Sequence, residues 1–146
     1  MVELRIKARP EHTDTVCEFV TTGLESNSVP ADMIPEIIIA IEEIFTNIAQ
    51  YAYPPDQEGD VAIYTSFDEQ IVIRFEDSGQ PFDPLKRKGP DLDTPLMERK
   101  IGGLGIHFVK NLMDKVEYEY TDKKNVLTIS KGFLAPGKEE RACSRV

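Results

Sequence analysis

The sequence predicts an α/β protein with a single domain. Five stretches alternate apolar and polar residues, which is typical of strands buried on one face, and three repeat apolar residues every three or four positions, which is typical of amphipathic helices. The 146 residues are enough for one hydrophobic core but too few for two domains of ordinary size. We therefore interpret residues 1–146 as one domain.

The elements follow the order β, α, α, β, β, α, β, β. The first strand ends at Pro10, and the second helix ends before Pro54 and Pro55, because proline removes a backbone donor. The two middle strands form an antiparallel hairpin through residues 68–70. The predicted strands are 4–8, 61–67, 71–75, 116–120 and 126–133, and the predicted helices are 11–26, 31 or 35 to 51, and 101–114.

Composition and charge argue against several classes of function. A net charge of −9 and a pI near 4.7 disfavour a protein that binds nucleic acid or a membrane surface, because either would present a basic face to phosphate groups. A basic run at residues 86–88, with Arg99 and Lys100, is either a solvated loop or a phosphate-holding segment. Cys17 and Cys143 form neither a disulfide framework nor a zinc site. With no apolar signal segment or membrane span, we expect a cytoplasmic protein.

Glycines stand at the start of the third predicted helix. Gly102, Gly103 and Gly105 have no Cβ, so their backbone N–H groups could close on a phosphate, which the helix N-terminus also attracts. A flexible loop that caps a core helix is the alternative. A dinucleotide fingerprint would need a preceding buried strand, and a Walker-type loop would need Gly-Lys-Ser/Thr; the sequence has neither.

Two polar residues of the second helix are candidates for chemistry. Isoleucines at positions 37, 41, 44 and 48 form its buried stripe, and Glu43 and Asn47 lie together on the flank of that stripe. Glu42 points away to solvent. A carboxylate one turn before a carboxamide can provide a proton acceptor beside an oxygen ligand for Mg²⁺. The alternative is that both are ordinary polar residues at the rim of the core.

The third strand continues directly into Glu76-Asp77-Ser78-Gly79. Asp77 could accept a hydrogen bond from an exocyclic amine, and Gly79 would let a flat base lie against the backbone. An ordinary Asp-Ser-Gly turn is the alternative. The segment that follows, about 80–101, is rich in proline and basic residues, and we interpret it as a lid, since long irregular loops within a domain are usually functional. The tail at 136–146 is polar, and we expect it to be frayed.

In this order, the helix Glu/Asn pair, the strand-end Asp-x-Gly, the lid and the Gly-x-Gly helix resemble the GHKL superfamily of Bergerat-fold ATP-binding proteins, which includes gyrase, histidine kinases and MutL. The motifs span residues 37–113. The pieces EEIFTNIAQYAY, FEDSGQPFDP and GGLGIHFVKNLMDKVEY are most similar to bacterial anti-sigma-factor serine/threonine kinases. The fold implied is a two-layer α/β sandwich with a mixed, mostly antiparallel sheet and helices on one face.

The resemblance also implies roles for individual residues. Asn47 would ligate the Mg²⁺ that bridges the ATP phosphates, Glu43 would be the general base, and Asp77 would accept from the adenine amine with Gly79 beside the ring. The backbone of Gly102, Gly103, Leu104 and Gly105, with Arg99 and Lys100, would bind the phosphates. The implied acceptor is a serine on a STAS-type antagonist protein, a sigma factor would compete for the same chain, and the chain would form a homodimer.

The sequence departs from the family pattern at two places. Many such kinases have an arginine directly before the glycines, whereas here Ile101 stands there and the basic residues lie just upstream. Many relatives also have Gly-Thr before the last strand, whereas here Lys124-Asn125 occupies that region and Thr128 is the nearest hydroxyl. His107 is interpreted as a helix-face residue rather than a catalyst.

Two other functions fit parts of the pattern. One is an ATP-sensing regulator that sequesters a protein partner without phosphorylating it, and Ile101 favours this alternative. The other is the catalytic half of a sensor histidine kinase. It is disfavoured because the chain leaves no room before Glu3 for a helical phospho-acceptor segment and has His12 as its only N-terminal histidine.

Overall fold

A computed structural model describes residues 1–84 and 101–133, and the side chains at 101–105 and 107 fall outside that description. Within these ranges, five strands form one sheet in the order β1-β2-β3-β5-β4. The strands are β1 (Val2–Lys7), β2 (Asp60–Ser66), β3 (Gln70–Asp77), β4 (Lys115–Thr121) and β5 (Lys124–Gly132), and the helices are α1 (Thr13–Ser26), α2 (Ile34–Tyr51) and α3 (Ile101–Leu112).

The sheet is antiparallel at all four pairs of described strands. The predicted α/β sandwich is confirmed, but the expected mixed sheet is wrong for this part of the chain. The reason is the path of α3 and β4. The helix carries the chain from the end of the sheet where β3 finishes to the opposite end, and β4 returns it, so β5 starts beside the end of β3 and runs against it.

The hydrophobic core lies between the helices and one face of the sheet. Alternation along β3 buries Ile71, Ile73 and Phe75 on that face and leaves Arg74 and Glu76 on the other. The helices supply the opposite layer with buried apolar residues at helical spacing: Val16, Val20, Leu24, Ile37, Ile41, Ile44, Phe45, Ile106 and Val109. Because Asp77 continues the alternation of β3, its carboxylate falls on the face covered by helices.

Helices α2 and α3 run antiparallel, and this brings one end of each to Asp77. The Ala52 carbonyl, just after α2, accepts a hydrogen bond from the Gln80 N–H (3.0 Å) beyond the end of β3. At the far end of the sheet, the Asp114 N–H, just after α3, donates to the Ser130 carbonyl (3.0 Å). The end of α2 and the start of α3 therefore meet at the same edge of the core.

Helix α3 begins at Ile101, where the predicted helix begins, and the three glycines lie in its first turns. A helix leaves only its first backbone N–H groups without an intrahelical partner. Those of Gly102 and Gly103 fall in that set, whereas helix geometry pairs the N–H of Gly105 with a carbonyl one turn earlier. None of the described helices combines the length and apolar character needed to cross a membrane.

Candidate functional site

A cavity opens where α2, β3, β5 and α3 meet. Its floor and walls are mainly apolar, with polar groups from Asn47, Asp77 and Asn125. This combination is typical of sites for small organic ligands. The lining residues are Ile44, Asn47, Ile48, Tyr51, Ala52, Phe75, Asp77, Phe82, Pro84, Ile106, Tyr118, Asn125 and Leu127.

Asn47 is the polar residue that α2 contributes to this cavity. Its side chain is 8% exposed, and its Nδ2 donates to Glu43 Oε1 across one helical turn at 3.4 Å. Its Oδ1 is buried and has no hydrogen-bond partner among the described residues. A buried carbonyl oxygen without a partner is costly, so this atom is suited to a ligand or metal ion that would satisfy it.

Glu43 is half-buried beside Asn47. Burial raises the pKa of the Glu43 carboxyl, and the hydrogen bond from Asn47 opposes that rise without cancelling it. The neighbouring Glu42 is exposed on the side toward α1, where its carboxylate lies 4.0 Å from the Cys17 sulfur. The two glutamates are therefore not equivalent, as their helical positions predict.

Asp77 ends β3 inside the cavity and is 6% exposed. Its Oδ1 accepts hydrogen bonds from the Gly79 N–H (2.9 Å) and from Asn125 Nδ2 (2.9 Å). Burial raises the pKa of the Asp77 carboxyl, and these two bonds act in the opposite direction. Because the hydrogen bonds that Asp77 accepts from described residues both go to Oδ1, Oδ2 is the oxygen suited to accept from a ligand.

The turn after Asp77 is held from its other side by Tyr53. The Tyr53 hydroxyl accepts a hydrogen bond from the Ser78 N–H (2.9 Å) and donates to the Asp60 carbonyl (2.6 Å). The loop after α2 is thereby tied to the start of β2 and the end of β3. Asp77 thus sits on a backbone fixed from two directions.

Asn125 is the residue of this site that the sequence motifs did not reveal. It lies directly opposite Asp77 in the β3–β5 register and is 6% exposed. The family resemblance draws attention to this region only because the usual Gly-Thr is missing there. Asn125 provides a carboxamide where the resemblance leads us to expect a hydroxyl. The strand order, which the sequence does not give, brings Asn125 to Asp77.

Thr128 does not reach the cavity, which corrects its assignment as a nucleotide-binding residue. Asn125 and Leu127 line the cavity, whereas Val126 and Thr128 line a groove on the opposite side of the sheet. Side chains alternate between faces along a strand, so the odd-numbered residues of this part of β5 point in and Thr128 points out. The Thr128 hydroxyl is close to Asn125 in sequence but lies on the face of the sheet opposite the cavity.

The packing around Gly79 gives a reason for glycine that the sequence did not suggest. A Cβ at this position would lie 2.1 Å from the Ala52 carbonyl oxygen, so a side chain there would collide with the backbone just after α2. The missing side chain permits close packing of the turn on that backbone, and contact of Gly79 with a flat base stays a prediction. Its N–H still contributes by orienting Asp77.

Aromatic rings form one wall of the cavity. Tyr51 and Phe82 stack with ring centroids 5.8 Å apart and an interplanar angle of 24°. The Phe82 N–H lies 3.3 Å from the Tyr118 hydroxyl and 3.1 Å from Asn125 Oδ1. The first residues after the Asp-x-Gly turn are therefore attached to the polar centre of the site.

The phosphate-binding half of the expected site is only partly described. Ile106, one residue after Gly105, lines the cavity, so α3 begins beside Asn47 and Asp77. Arg99 and Lys100, most of the predicted lid and the tail at 136–146 lie outside the described residues. Within the described part, no group of three or more His, Cys, Asp or Glu side chains could hold a metal ion.

Comparison with known proteins places the chain in a family. A family model described as a histidine kinase-like ATPase domain matches residues 6–131. The chain belongs to this family, and the GHKL resemblance drawn from its motifs is confirmed.

Among individual proteins, the chain is similar to several serine-protein kinases named RsbW. It is 33% identical over 132 residues to that of Bacillus cereus strain ZK, covering 86% of this chain and 81% of the relative. It is 30% identical over 125 residues to that of Bacillus subtilis, covering 81% and 77%. The relative from Listeria monocytogenes strain EGD-e is 27% identical over 132 residues, covering 86% and 83%.

A solved structure gives the same fold. The crystal structure of the RsbU and RsbW domains of Rv1364c from Mycobacterium tuberculosis aligns with a TM-score of 0.61 at 17% identity. The alignment covers 93% of this chain and 34% of that one, so the chain spans about a third of the longer protein. At this identity the likeness concerns the fold alone.

Proposed function

We propose that this chain is a Mg²⁺-ATP-dependent serine/threonine kinase that phosphorylates a STAS-type antagonist protein and controls a sigma factor by partner switching in the cytoplasm. The observation that carries the proposal is the convergence of Asn47 and Asp77 on one cavity, with Glu43 accepting a hydrogen bond from Asn47. Residues 30 positions apart in sequence thus provide the two ends of one nucleotide site.

Asp77 is assigned to the adenine amine. The amine donates hydrogen bonds, and the buried carboxylate has Oδ2 left to accept them. The apolar walls, including the Tyr51–Phe82 pair, suit a flat aromatic base.

Asn47 is assigned to Mg²⁺ through its Oδ1. Carboxamide oxygens are suitable ligands for this hard cation, and the buried atom otherwise has no partner among the described residues. When bound, the ion would neutralise charge on the ATP phosphates. Phosphate oxygens and water molecules would be its remaining ligands. Gly102, Gly103 and Leu104 at the start of α3, with Arg99 and Lys100, are proposed to hold the phosphates through backbone N–H groups and positive charge.

Glu43 is assigned as the general base. The acceptor serine oxygen forms a bond to the γ-phosphorus as the bond from that phosphorus to the β–γ bridging oxygen breaks, and the serine proton passes to the Glu43 carboxylate. ADP leaves with the electron pair of the broken bond. Burial of Glu43 strengthens it as a base, since it raises the carboxyl pKa from its ordinary value.

The protein partners are inferred from the family resemblance. A STAS-type antagonist would present the acceptor serine, a sigma factor would be released or retained according to the phosphorylation state of that antagonist, and two copies of this chain would form a homodimer. The kinase name of the relatives supports the reaction class.

A second candidate function is an ATP-binding module that sequesters its partner without transferring phosphate. Ile101 favours it, because an apolar residue directly before the glycines cannot neutralise the terminal phosphate as an arginine would.

Incubation with Mg²⁺-ATP and a STAS-domain protein from the same organism, followed by intact-mass measurement, separates the two candidates. The kinase hypothesis predicts a gain of one phosphoryl group on the STAS protein and none on a version whose acceptor serine is alanine. ATP binding measured by calorimetry without any mass change, together with complex formation, would establish the binding module instead.

A further inference from the structure

We propose that Asn125 is the specificity-determining positioning residue for the nucleobase, because it locks the carboxylate of Asp77 and the wall at residues 80–82 into one rigid unit. This inference rests on the proposed binding of ATP in the cavity. It concerns the selection of adenine over other purines rather than the transfer step.

The carboxamide of Asn125 is saturated by four short hydrogen bonds and one longer one within the protein. Its Nδ2 donates to Asp77 Oδ1 (2.9 Å) and to the Gln80 carbonyl (2.9 Å), with the Gly79 carbonyl more distant at 3.5 Å. Its Oδ1 accepts from the Phe82 N–H (3.1 Å) and from the Tyr118 hydroxyl. A carboxamide has two N–H groups and two lone pairs, so this arrangement uses its full capacity.

The orientation of this carboxamide is fixed by its partners. The Phe82 N–H can only donate and the Gln80 carbonyl can only accept, so exchanging the oxygen and nitrogen of Asn125 would break both bonds. The residue cannot rotate to serve a different ligand without losing buried hydrogen bonds. Because Asn125 is 6% exposed, water would not replace them readily.

As a consequence, the two carboxylate oxygens of Asp77 have different roles. Asn125 and the Gly79 N–H both bind Oδ1, so within the described part of the chain Oδ2 is the oxygen that can accept from a ligand. Phe82, held by the same carboxamide, supports the aromatic wall against Tyr51. One side chain therefore aligns both the hydrogen-bonding edge and the stacking wall of a base site.

A threonine, the residue type expected here from the family resemblance, has a single hydroxyl. It could donate to Asp77 but could not at the same time hold residues 80 and 82. The carboxamide thus gives this chain a more rigid base site than a hydroxyl would. A rigid site that hydrogen-bonds a substrate amine discriminates strongly against a base that lacks it.

The test compares binding of ATP with binding of ITP, which has a carbonyl oxygen where adenine has its amine. For the wild type we expect ATP to bind roughly five- to two-hundred-fold more tightly than ITP, the range for one mispaired buried group. Asn125→Leu keeps the branched shape and the number of heavy atoms in the side chain and removes all of these hydrogen bonds. We expect it to lose ATP affinity while ITP affinity stays unchanged, so that the ratio falls to within about threefold.

Three further variants separate positioning from general damage. Thr128→Val, on the same strand but the opposite face, should keep the wild-type ratio. Tyr118→Phe removes the hydrogen bond from the Tyr118 hydroxyl to Asn125 Oδ1 and should lower the ratio of ATP to ITP affinity only slightly. Asn125→Thr restores one donor to Asp77 and should recover part of the ratio, and it provides the measurement if Asn125→Leu does not fold.

The outcomes distinguish this inference from the proposed function. If the wild type binds ATP selectively and Asn125→Leu or Asn125→Thr keeps the full ATP/ITP ratio, the inference is overturned and the proposed function stands. If both variants lose ATP and ITP affinity equally, Asn125 is merely structural and the inference again fails. Absence of ATP binding by the wild type would overturn both.

Discussion

Glu43 and Glu42 are adjacent in sequence, yet α2 directs their carboxylates to different surroundings. Glu43 is half-buried next to Asn47, whereas Glu42 faces solvent near Cys17. Local helix geometry, rather than residue type, therefore decides which of the two can serve as a base.

We predict that Glu43→Ala keeps Mg²⁺-ATP binding but slows phosphoryl transfer by about 10² to 10⁴, the usual contribution of a general base. Single-turnover transfer to the STAS protein measures the rate, and calorimetry measures binding. Glu42→Ala is the matched control and should transfer at the wild-type rate. Unchanged transfer in Glu43→Ala would remove this residue from the role of base.

Asp77 provides a prediction in which stability and binding move in opposite directions. In Asp77→Asn, the side-chain oxygen can keep both bonds now made by Oδ1, and the new amide group takes the place of Oδ2. That amide would face the adenine amine donor to donor, which costs about 1 to 3 kcal/mol, or roughly five- to two-hundred-fold in ATP affinity. Calorimetric titration measures the loss, and a variant that binds ATP as tightly as the wild type would contradict the assignment.

The difference in stability between Asp77→Asn and the wild type should depend on pH. Because burial raises the pKa of Asp77 in the folded state, the folded protein binds this proton more readily than the unfolded chain. This carboxyl therefore destabilises the wild type progressively as pH rises from the unfolded value of about 4 through the raised folded value. We expect Asp77→Asn to be at least as stable as the wild type at neutral pH, with an advantage that shrinks toward acid. Denaturant unfolding at several pH values measures this difference, and an advantage that grows toward acid would contradict it.

At the scale of single elements, α1 ends in a Schellman motif with an unfavourable residue at its centre. The Val29 N–H donates to the Leu24 carbonyl (3.1 Å) and the Ser28 N–H to the Glu25 carbonyl (3.2 Å), while Ser28 has φ of 59°. Glycine usually occupies that left-handed position, because a Cβ is crowded there.

We predict that Ser28→Gly raises the free energy of unfolding by about 0.5 to 1 kcal/mol, since relief of backbone crowding exceeds the added entropy of the unfolded chain. Denaturant titration measures the change. Ser28→Ala retains the Cβ and should give no gain. Equal effects of the two substitutions would show that the backbone conformation is not the cause.

The hairpin between β4 and β5 also contains non-glycine residues with positive φ. Thr121 pairs with Lys124, so Asp122 and Lys123 form a two-residue turn, and both have positive φ, 52° and 62°. This is the pattern of a type I′ turn, which favours Asn-Gly.

We therefore expect Lys123→Gly to stabilise the protein by about 0.5 to 1 kcal/mol, with Lys123→Ala as the control that keeps the Cβ. Thermal unfolding at fixed pH measures both. Since this turn leads directly to Asn125, ATP affinity should stay unchanged in Lys123→Gly if the strand register is preserved. A loss of ATP affinity would indicate a shifted register.

At the scale of the whole molecule, a ligand that binds only the folded chain must stabilise it. Mg²⁺-ATP at 100 times its Kd should add about 2.7 kcal/mol to the free energy of unfolding. For a chain of this size that corresponds to roughly 5 to 11 °C in Tm. Removal of Mg²⁺ with EDTA should reduce the shift, and Asn47→Ala should make the shift independent of Mg²⁺. A shift in the wild type that ignores EDTA would contradict a metal ligand at Asn47.

Much of the architecture could be predicted because apolar periodicity reports directly on burial. The five strands and three helices occur where alternation and helical spacing place them, with ends that differ by a few residues. The order β1-β2-β3-β5-β4 could not be predicted, because it depends on which strand edges meet and not on any local pattern.

Two features of the site could not be predicted for the same reason, since they depend on contacts between segments that are distant in sequence. Asn125 joins Asp77 only through the β3–β5 pairing, and Gly79 is required by the Ala52 backbone, a contact between distant segments. Thr128 is a different case. The apolar Leu127 and Ile129 already mark the inward face of β5, so parity along the strand could have excluded Thr128 and pointed to Asn125.

The placement of Asp77 and Asn125 as register partners makes nucleotide capture a reporter of correct strand alignment. A slip of one residue between β3 and β5 would turn Asn125 to the outer face and leave the carboxylate without its donor. Misaligned products of refolding should therefore pass through an immobilised-ATP column unretained, whereas correctly aligned chains should bind and elute with free nucleotide.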